Sequence, residues 1–292
     1  MEKEEKGPFK PFEKTAILGV GLLGGSLALA LRKKRLSKRI SGSGRTEGNL
    51  KKAVRSGMID SYHMDPREAV KGADLVVLAT PVGMFRETAE LIKNSVEDGS
   101  IQTDVGSVKG ALVAELESIL PNFIGSHPIS GGERPGADNA EDDLFEGVRC
   151  IVTVTDAADK TSLERIGGLW RALGANVELM DPDRHDRIYA LMSHLPHVLA
   201  YALVNTVGGM DGKSIKYAGQ GFKDTTRIAL SSPEVWRDIC LLNGRHILST
   251  IAAFKDQLEK IESAIVKKDP SALEAEFGRS RTLREKVDNK KN

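Results

Sequence analysis

Thr15 to Leu31 reads TAILGVGLLGGSLALAL, and no other stretch restricts the fold of this chain so tightly. A short apolar run ends at Gly19, and Gly21 and Gly24 complete the spacing GxGxxG before an apolar helical stretch begins. In a strand-turn-helix unit each glycine has its own job: a tight turn, a close backbone approach to a pyrophosphate, and close contact of helix with strand. The free amides at the helix start then face the phosphate charge. The pattern predicts a dinucleotide loop built from Gly19, Gly21, Leu22, Leu23 and Gly24 at the first crossover of an α/β fold.

The surrounding sequence supports that unit. From Thr15 to about Met180, runs such as RISGS, ADLVVLATPV, SIQTDV, FIGSHPI, VRCIVTV and NVELM alternate with helix-like segments. Strands apolar on both faces and separated by helices predict a mainly parallel, covered sheet. After Asp181 the strand signals stop. Asp181-Pro182 and Ser232-Pro233 each read as a cap followed by a first-turn proline, and a last amphipathic helix spans about Pro270 to Lys286. The expected organisation is a charged N-terminal segment over 1–14, a dinucleotide-binding domain over 15–180 and a helical domain over 181–292. The helices of the last part are rich in Leu, Ile and Ala, so part of their apolar surface calls for a partner subunit.

The charge balance narrows the choice of ligand. Lys plus Arg number 42 against 41 Asp plus Glu, so no global field draws the chain to nucleic acid or to an anionic membrane. A small molecule is the expected ligand. No apolar run reaches bilayer-spanning length. Cys150 and Cys240 lack metal-type spacing and fit a reducing compartment, so the expected location is cytoplasmic. His194 and His197 in SHLPH share a helix face but find no third ligand, and no metal site is expected.

Where the second strand ends, a carboxylate commonly binds the adenosine ribose. This chain has Ser43, Gly44, Arg45 and Thr46 there instead. Gly44 removes the repulsion an acid would exert on a 2′-phosphate, Arg45 offers a forked contact, and the hydroxyls of Ser43 and Thr46 can add to it. NADP is therefore the favoured cofactor, with NAD as the alternative. Thr80 and Pro81, at the end of LVVLATPV, complete the expected cofactor lining. His127, at the end of the FIGSHPI run, is the expected catalytic residue, since strand ends are where such a sheet places its ligands.

The segments GVGLLGGSLA, TDVGSVK, GSHPISGGE, SHLPH, FKDTTRIA and WRDICLLN, in this order, resemble the prephenate and arogenate dehydrogenase family of tyrosine biosynthesis. The similarity runs from about Thr15 to Arg284. It implies a Rossmann-type N-terminal domain followed by an all-helical dimerisation domain, hence a homodimer. It also implies an oxidative decarboxylation: His127 takes the ring hydroxyl proton as hydride leaves the same carbon, carbon dioxide is lost and the ring becomes aromatic. By the same resemblance Ser107 lies near the reacting ring, Arg227 binds a substrate carboxylate with Asp224 beside it, and Ser126, Glu133, Ser193, one of His194 and His197, and Trp236 surround the substrate. Tyrosine, which mimics the substrate, is a possible inhibitor. His63, His185 and His246 read as surface or packing residues. Ser130 and Gly132 depart from the commoner family pattern and leave prephenate and arogenate both open. Two other readings share the first half of the chain: a β-hydroxyacid dehydrogenase-like reductase, and a dinucleotide-binding regulator without chemistry.

Overall fold

The computed structural model describes residues 9–131 and 136–288. Its chain order alternates as the sequence predicts: β1 (Thr15–Leu18), α1 (Leu22–Lys33), β2 (Ile40–Ser43), α2 (Glu47–Arg55), β3 (Ser61–His63), α3 (Pro66–Val70), β4 (Leu75–Leu78), α4 (Phe85–Ile92), β5 (Ile101–Asp104), α5 (Gly110–Ile119) and β6 (Phe123–Ile124). These six strands form one parallel sheet in the order β3-β2-β1-β4-β5-β6. That is the doubly wound dinucleotide order, whose crevice opens between β1 and β4 where the strand order reverses. Every residue of β1, β2, β4 and β5 is buried, as a sheet covered on both faces requires.

The run FIGSHPI, expected as one strand, divides at Gly125. Residues before it belong to β6, and those after it form β7 (Ser126–Pro128) in a second sheet with β8 (Arg149–Thr153) and β9 (Asn176–Met180). β7 pairs antiparallel with β8, and β8 pairs parallel with β9. Gly125 allows the switch because the chain passes hard against Thr153: a Cβ there would stand 2.5 Å from Thr153 Oγ1 and 2.8 Å from a Val113 methyl. His127 therefore lies within a strand of the second sheet, not at the end of the sixth strand of the first. β3 leaves no strand signal in the sequence, since Ser61, Tyr62 and His63 make no apolar run and pair only along the sheet edge.

α6 (Lys160–Ala172) buries Ile166, Leu169 and Trp170, and Trp170 meets Phe145 edge-on with ring centroids 5.3 Å apart. The N-terminal segment is tied down from Phe9 on. Arg165 lies 4.4 Å from both the Phe9 and Phe12 rings, and the backbone N–H groups of Glu13 and Lys14 each donate to Asp74 at 2.9 Å.

Beyond Met180 the chain is helical. α7 (Pro182–Tyr189) starts as predicted, with Asp181 accepting the Arg184 N–H at 2.8 Å. A π turn over Ala190–His194 leads into α8 (Leu195–Asp211). Pro196 has no N–H to close an α turn at this point, and its ring crowds the carbonyl one turn earlier, which favours the wider turn. α9 (Gln220–Thr226) and α10 (Pro233–Leu242) follow. One compact unit ends at Gly244, and the second begins at Arg245. The latter consists of most of α11 (Gly244–Val266) together with α12 (Pro270–Asp288), joined in part by Arg279 Nη2 donating to Gln257 Oε1 at 3.2 Å. No helix among the described residues is long and apolar enough to cross a membrane.

Candidate active site

The glycine loop fits a dinucleotide by its shape. Gly19 holds φ at +108°, a value side-chain-bearing residues rarely adopt, and a Cβ on it would sit 2.5 Å from the Ala79 carbonyl carbon. A Cβ on Gly24 would overlap the Gly19 carbonyl oxygen, whereas one on Gly21 would meet nothing within 4 Å. Two glycines thus let helix, loop and β4 close up, and the third leaves open space where a pyrophosphate needs it. Gly21 precedes α1 as its cap and offers no side-chain bond, so the first amides of the helix stay available to a phosphate. Leu22 and Leu23 form that first turn. Thr80 follows β4 next to Gly19, with its buried hydroxyl unpartnered in the protein, and Pro81 follows it.

At the end of β2, Ser43 is buried and pairs across with His63 at the end of β3, while Arg45 and Thr46 are exposed. A Cβ on Gly44 would touch only Leu50, at 3.5 Å. The acid missing from β2 has a counterpart from elsewhere: Glu234 on α10 stands 3.5 Å from Arg45 Nη1. Nothing in the spacing of the sequence connects residues so far apart.

His127 is 9 % exposed, on the central pair of β7 and β8 opposite Ile151. Its Nδ1 lies 2.8 Å from His185 Nε2, and the Tyr189 ring meets it edge-on at 5.1 Å. His185 in turn places Nδ1 2.8 Å from Asp186 Oδ1, which also accepts the Lys109 backbone N–H at 2.8 Å. Burial holds His127 well below its ordinary value, assisted by the positive charges of His185, Lys109 and His194 when these are protonated. The imidazole is therefore neutral near pH 7, the state a base needs. His185, read from the sequence as a packing or surface residue, is fully buried and is the direct partner of His127.

Ser107 is half-buried on the loop after β5. That loop is shaped by Asp104, whose Oδ2 accepts the Gly106 N–H at 2.8 Å and pairs with the buried Lys109 ammonium. Asp104 Oδ1 accepts the Ser126 N–H at 2.9 Å. Ser126, expected at the substrate, is fully buried. Its hydroxyl lies 2.5 Å from the Asp104 carbonyl oxygen and 2.9 Å from Thr103 Oγ1, so it holds β7 to β5. The Ser130 hydroxyl donates to the Leu144 carbonyl at 3.0 Å, which gives this departure from the family pattern a place in loop structure. Glu133 and Gly132 lie outside the described residues.

The helical segment brings a second group together. His197 stacks on Trp236 with centroids 3.7 Å apart and donates Nδ1–H to the Ser193 carbonyl at 2.9 Å. It lies near enough to Arg227 for that charge to add to burial in lowering its pKa. Asp224 accepts from Gln220 Nε2 at 2.7 Å on the neighbouring turn of α9. His194 meets the Trp236 ring edge-on at 5.9 Å but is more deeply buried. It is 1 % exposed, and the Asn243 amide donates both to its Nδ1 at 3.0 Å and to the Asp186 carbonyl at 2.9 Å. Asn243 thereby connects the His194–Trp236–His197 group to the His185–His127 group. Among the described residues no set of His, Cys, Asp and Glu is arranged to hold a metal.

These buried imidazoles carry a stability prediction. Burial lowers His194 to about 4 and also lowers His127 and His185, all from an ordinary value of 6.5. Between the folded and unfolded values the unfolded chain binds more protons, so stability is complete above about pH 6.5 and falls on acidification. Each group contributes a slope of up to roughly 1.4 kcal/mol per pH unit. Thermal unfolding at pH 7 and pH 5 is expected to show a clear drop in Tm at the lower value; an unchanged Tm would mean that the imidazoles are already solvated.

Residues 27–179 match the family model described as prephenate dehydrogenase, nucleotide-binding domain, and residues 181–279 match prephenate dehydrogenase, dimerization domain. The chain belongs to the prephenate dehydrogenase family. It is 33 % identical over 279 residues to the cyclohexadienyl dehydrogenase of Zymomonas mobilis, covering 94 % of this chain and 95 % of that one. It is 33 % identical over 276 residues to the prephenate dehydrogenase of Bacillus subtilis, covering 92 % of this chain and 74 % of that one. A solved prephenate dehydrogenase from A. aeolicus, in complex with hydroxyphenyl propionate and NAD+, superposes with a TM-score of 0.89 at 36 % identity, covering 94 % of this chain and 98 % of that one.

Proposed function

We propose that this chain oxidatively decarboxylates prephenate, arogenate or both, giving 4-hydroxyphenylpyruvate or tyrosine. The observation that carries the reading is the buried, neutral His127, held through Nδ1, in a chain of this family. When bound, the nicotinamide supplies the hydride acceptor. His127 takes the hydroxyl proton as that hydride leaves; loss of carbon dioxide returns an electron pair to the same oxygen, and the proton passes back to it. The overall conversion therefore neither consumes nor releases a proton, and the base needs only to hold one briefly. Arg227 is assigned to a substrate carboxylate, where a planar fork pairs better than an ammonium. Of the two histidines of SHLPH, His197 is assigned to the substrate, because it lies with Trp236 and Arg227 while His194 is turned inward. Assembly is as a homodimer, for which Met210, Tyr217, Leu230 and Leu241 offer exposed apolar side chains. Tyrosine is proposed as an inhibitor at the substrate site. The free thiols of Cys150 and Cys240 fit a cytoplasmic location.

The test is formation of reduced cofactor with prephenate and arogenate, each crossed with NAD and NADP. Turnover with at least one pair is expected; silence in all four combinations overturns the assignment.

For the cofactor we favour NADP, supported by the exposed Arg45 and by the absence of an acid on β2. Glu234 bears on this choice, because its carboxylate shares Arg45 and repels a 2′-phosphate. Arg45→Ala is expected to lower kcat/KM for NADP roughly tenfold or more, with little effect for NAD. Glu234→Gln is expected to raise it for NADP. Steady-state kinetics with both cofactors decide the matter, and a wild type that clearly prefers NAD would end the NADP reading.

A further inference from the structure

We infer that His185 and Asp186 are a positioning pair that sets which ring nitrogen of His127 acts as the base. The inference rests on the proposed reaction, in which His127 takes and returns a proton. It follows from counting donors along one hydrogen-bonded chain.

Asp186 Oδ1 receives the Lys109 backbone N–H, a group that can only donate. The carboxylate also faces the start of α5: a Cβ on Gly110 would stand 2.5 Å from Asp186 Oδ2, so only glycine lets the helix begin this close. A carboxylate offers acceptors only. The proton in the 2.8 Å contact between Asp186 Oδ1 and His185 Nδ1 therefore sits on the histidine. A neutral His185 with its proton on Nδ1 has a bare Nε2. That bare nitrogen lies 2.8 Å from His127 Nδ1, so His127 must carry its proton on Nδ1 and present an unprotonated Nε2. Nε2 is then the atom that receives the substrate's hydroxyl proton.

The same chain acts again once the proton has arrived. The imidazolium of His127 keeps donating from Nδ1 to His185, and the Asp186 carboxylate lies beyond to offset the new positive charge. The other groups facing this pair are Lys109 and Asp104 from the β5–α5 segment, His194 from the π turn, Tyr189 from α7 and Cys150 from β8. Lys109 and His194 oppose a second positive charge here, and Asp186 and Asp104 are the carboxylates that counter it. A simple packing role for His185 requires none of this ordering of protons.

The experiment compares His185→Leu, His185→Gln and Asp186→Asn with wild type in the full-length enzyme, using the substrate and cofactor that the crossed assay identifies. His185→Leu fills the space but removes the acceptor. It is expected to lower kcat roughly ten- to a hundredfold while the KM for substrate and the cofactor affinity change little. His185→Gln offers a carbonyl to His127 and an amide to Asp186, and should recover most of the lost rate. The direct readout is the 15N spectrum of histidine-labelled protein. Wild-type His127 should show a protonated Nδ1 and a bare Nε2; His185→Leu should show a mixture of tautomers. Asp186→Asn, which leaves His185 in place, should disturb the tautomer of both rings and serves if the leucine variant does not fold. A wild-type His127 protonated on Nε2, or a His185→Leu enzyme with unchanged kcat and unchanged tautomer, overturns the inference. Should wild type turn over none of the substrates, the proposed function fails, while the spectrum still reports on the pair.

Discussion

Replacing His127 with asparagine is expected to lower kcat by about 10²- to 10⁴-fold, the usual contribution of a positioned base. Cofactor binding should survive, because the glycine loop is built from β1, α1 and the end of β4 and takes no contribution from His127. Asparagine keeps a polar group in the buried site but cannot hold a proton. The pH profile adds a second reading. Burial and neighbouring positive charge keep the imidazole below its ordinary range. The acid limb of kcat/KM in wild type should therefore fall below pH 6.5, and it should vanish in the variant. A variant that retains nearly full turnover would place the base elsewhere. A chain that binds cofactor and shows no turnover in either form would instead favour the regulator reading over any dehydrogenase.

The parts of this site legible in the sequence are those whose physical requirement is local. A glycine at φ +108° and another against a carbonyl leave their mark at a fixed spacing directly after an apolar run, so the tight glycine turn could be placed to the residue. Asp181 and Pro182 announce a helix start for the same reason. The support beneath His127 leaves no comparable mark. In DPDRHDR, charged residues surround His185, and nothing in that pattern tells a buried histidine from a solvated one. It is buried because α7 packs where β7 passes, a relation fifty-eight positions apart in sequence. The break at Gly125 was hidden for a related reason: a glycine inside an apolar run reads as a flexible strand residue until its neighbour Thr153 is known. Glu234 opposite Arg45 is the clearest case, since the acid absent from β2 is presented by a helix far along the chain.

Lys109→Met is expected to be the most destabilising of these substitutions, at about 3–5 kcal/mol. Lys109 is fully buried and Asp104 is 1 % exposed, so the pair has no water to replace a lost partner. Without the ammonium, Asp104 must remain a buried charge or take a proton. Burial already pushes this carboxyl above its ordinary value, and Lys109 is the largest influence opposing that rise. A protonated Asp104 also weakens its hold on the Gly106 and Ser126 amides, which shape the Ser107 loop and anchor β7 beside His127. For a chain of 292 residues the loss corresponds to a fall in Tm of roughly 5–8 °C. Its pH dependence is the distinguishing sign. A carboxyl whose folded pKa is raised stabilises fully below the unfolded value of 3.8 and loses that contribution as pH rises through the folded value. The variant should thus be less destabilised, relative to wild type, at pH 5 than at pH 8, and adding Asp104→Asn should restore much of the stability because no charge is left uncompensated. Thermal unfolding of both variants at the two pH values tests this, and equal losses at each pH with no rescue would assign the effect to packing of the lysine stem.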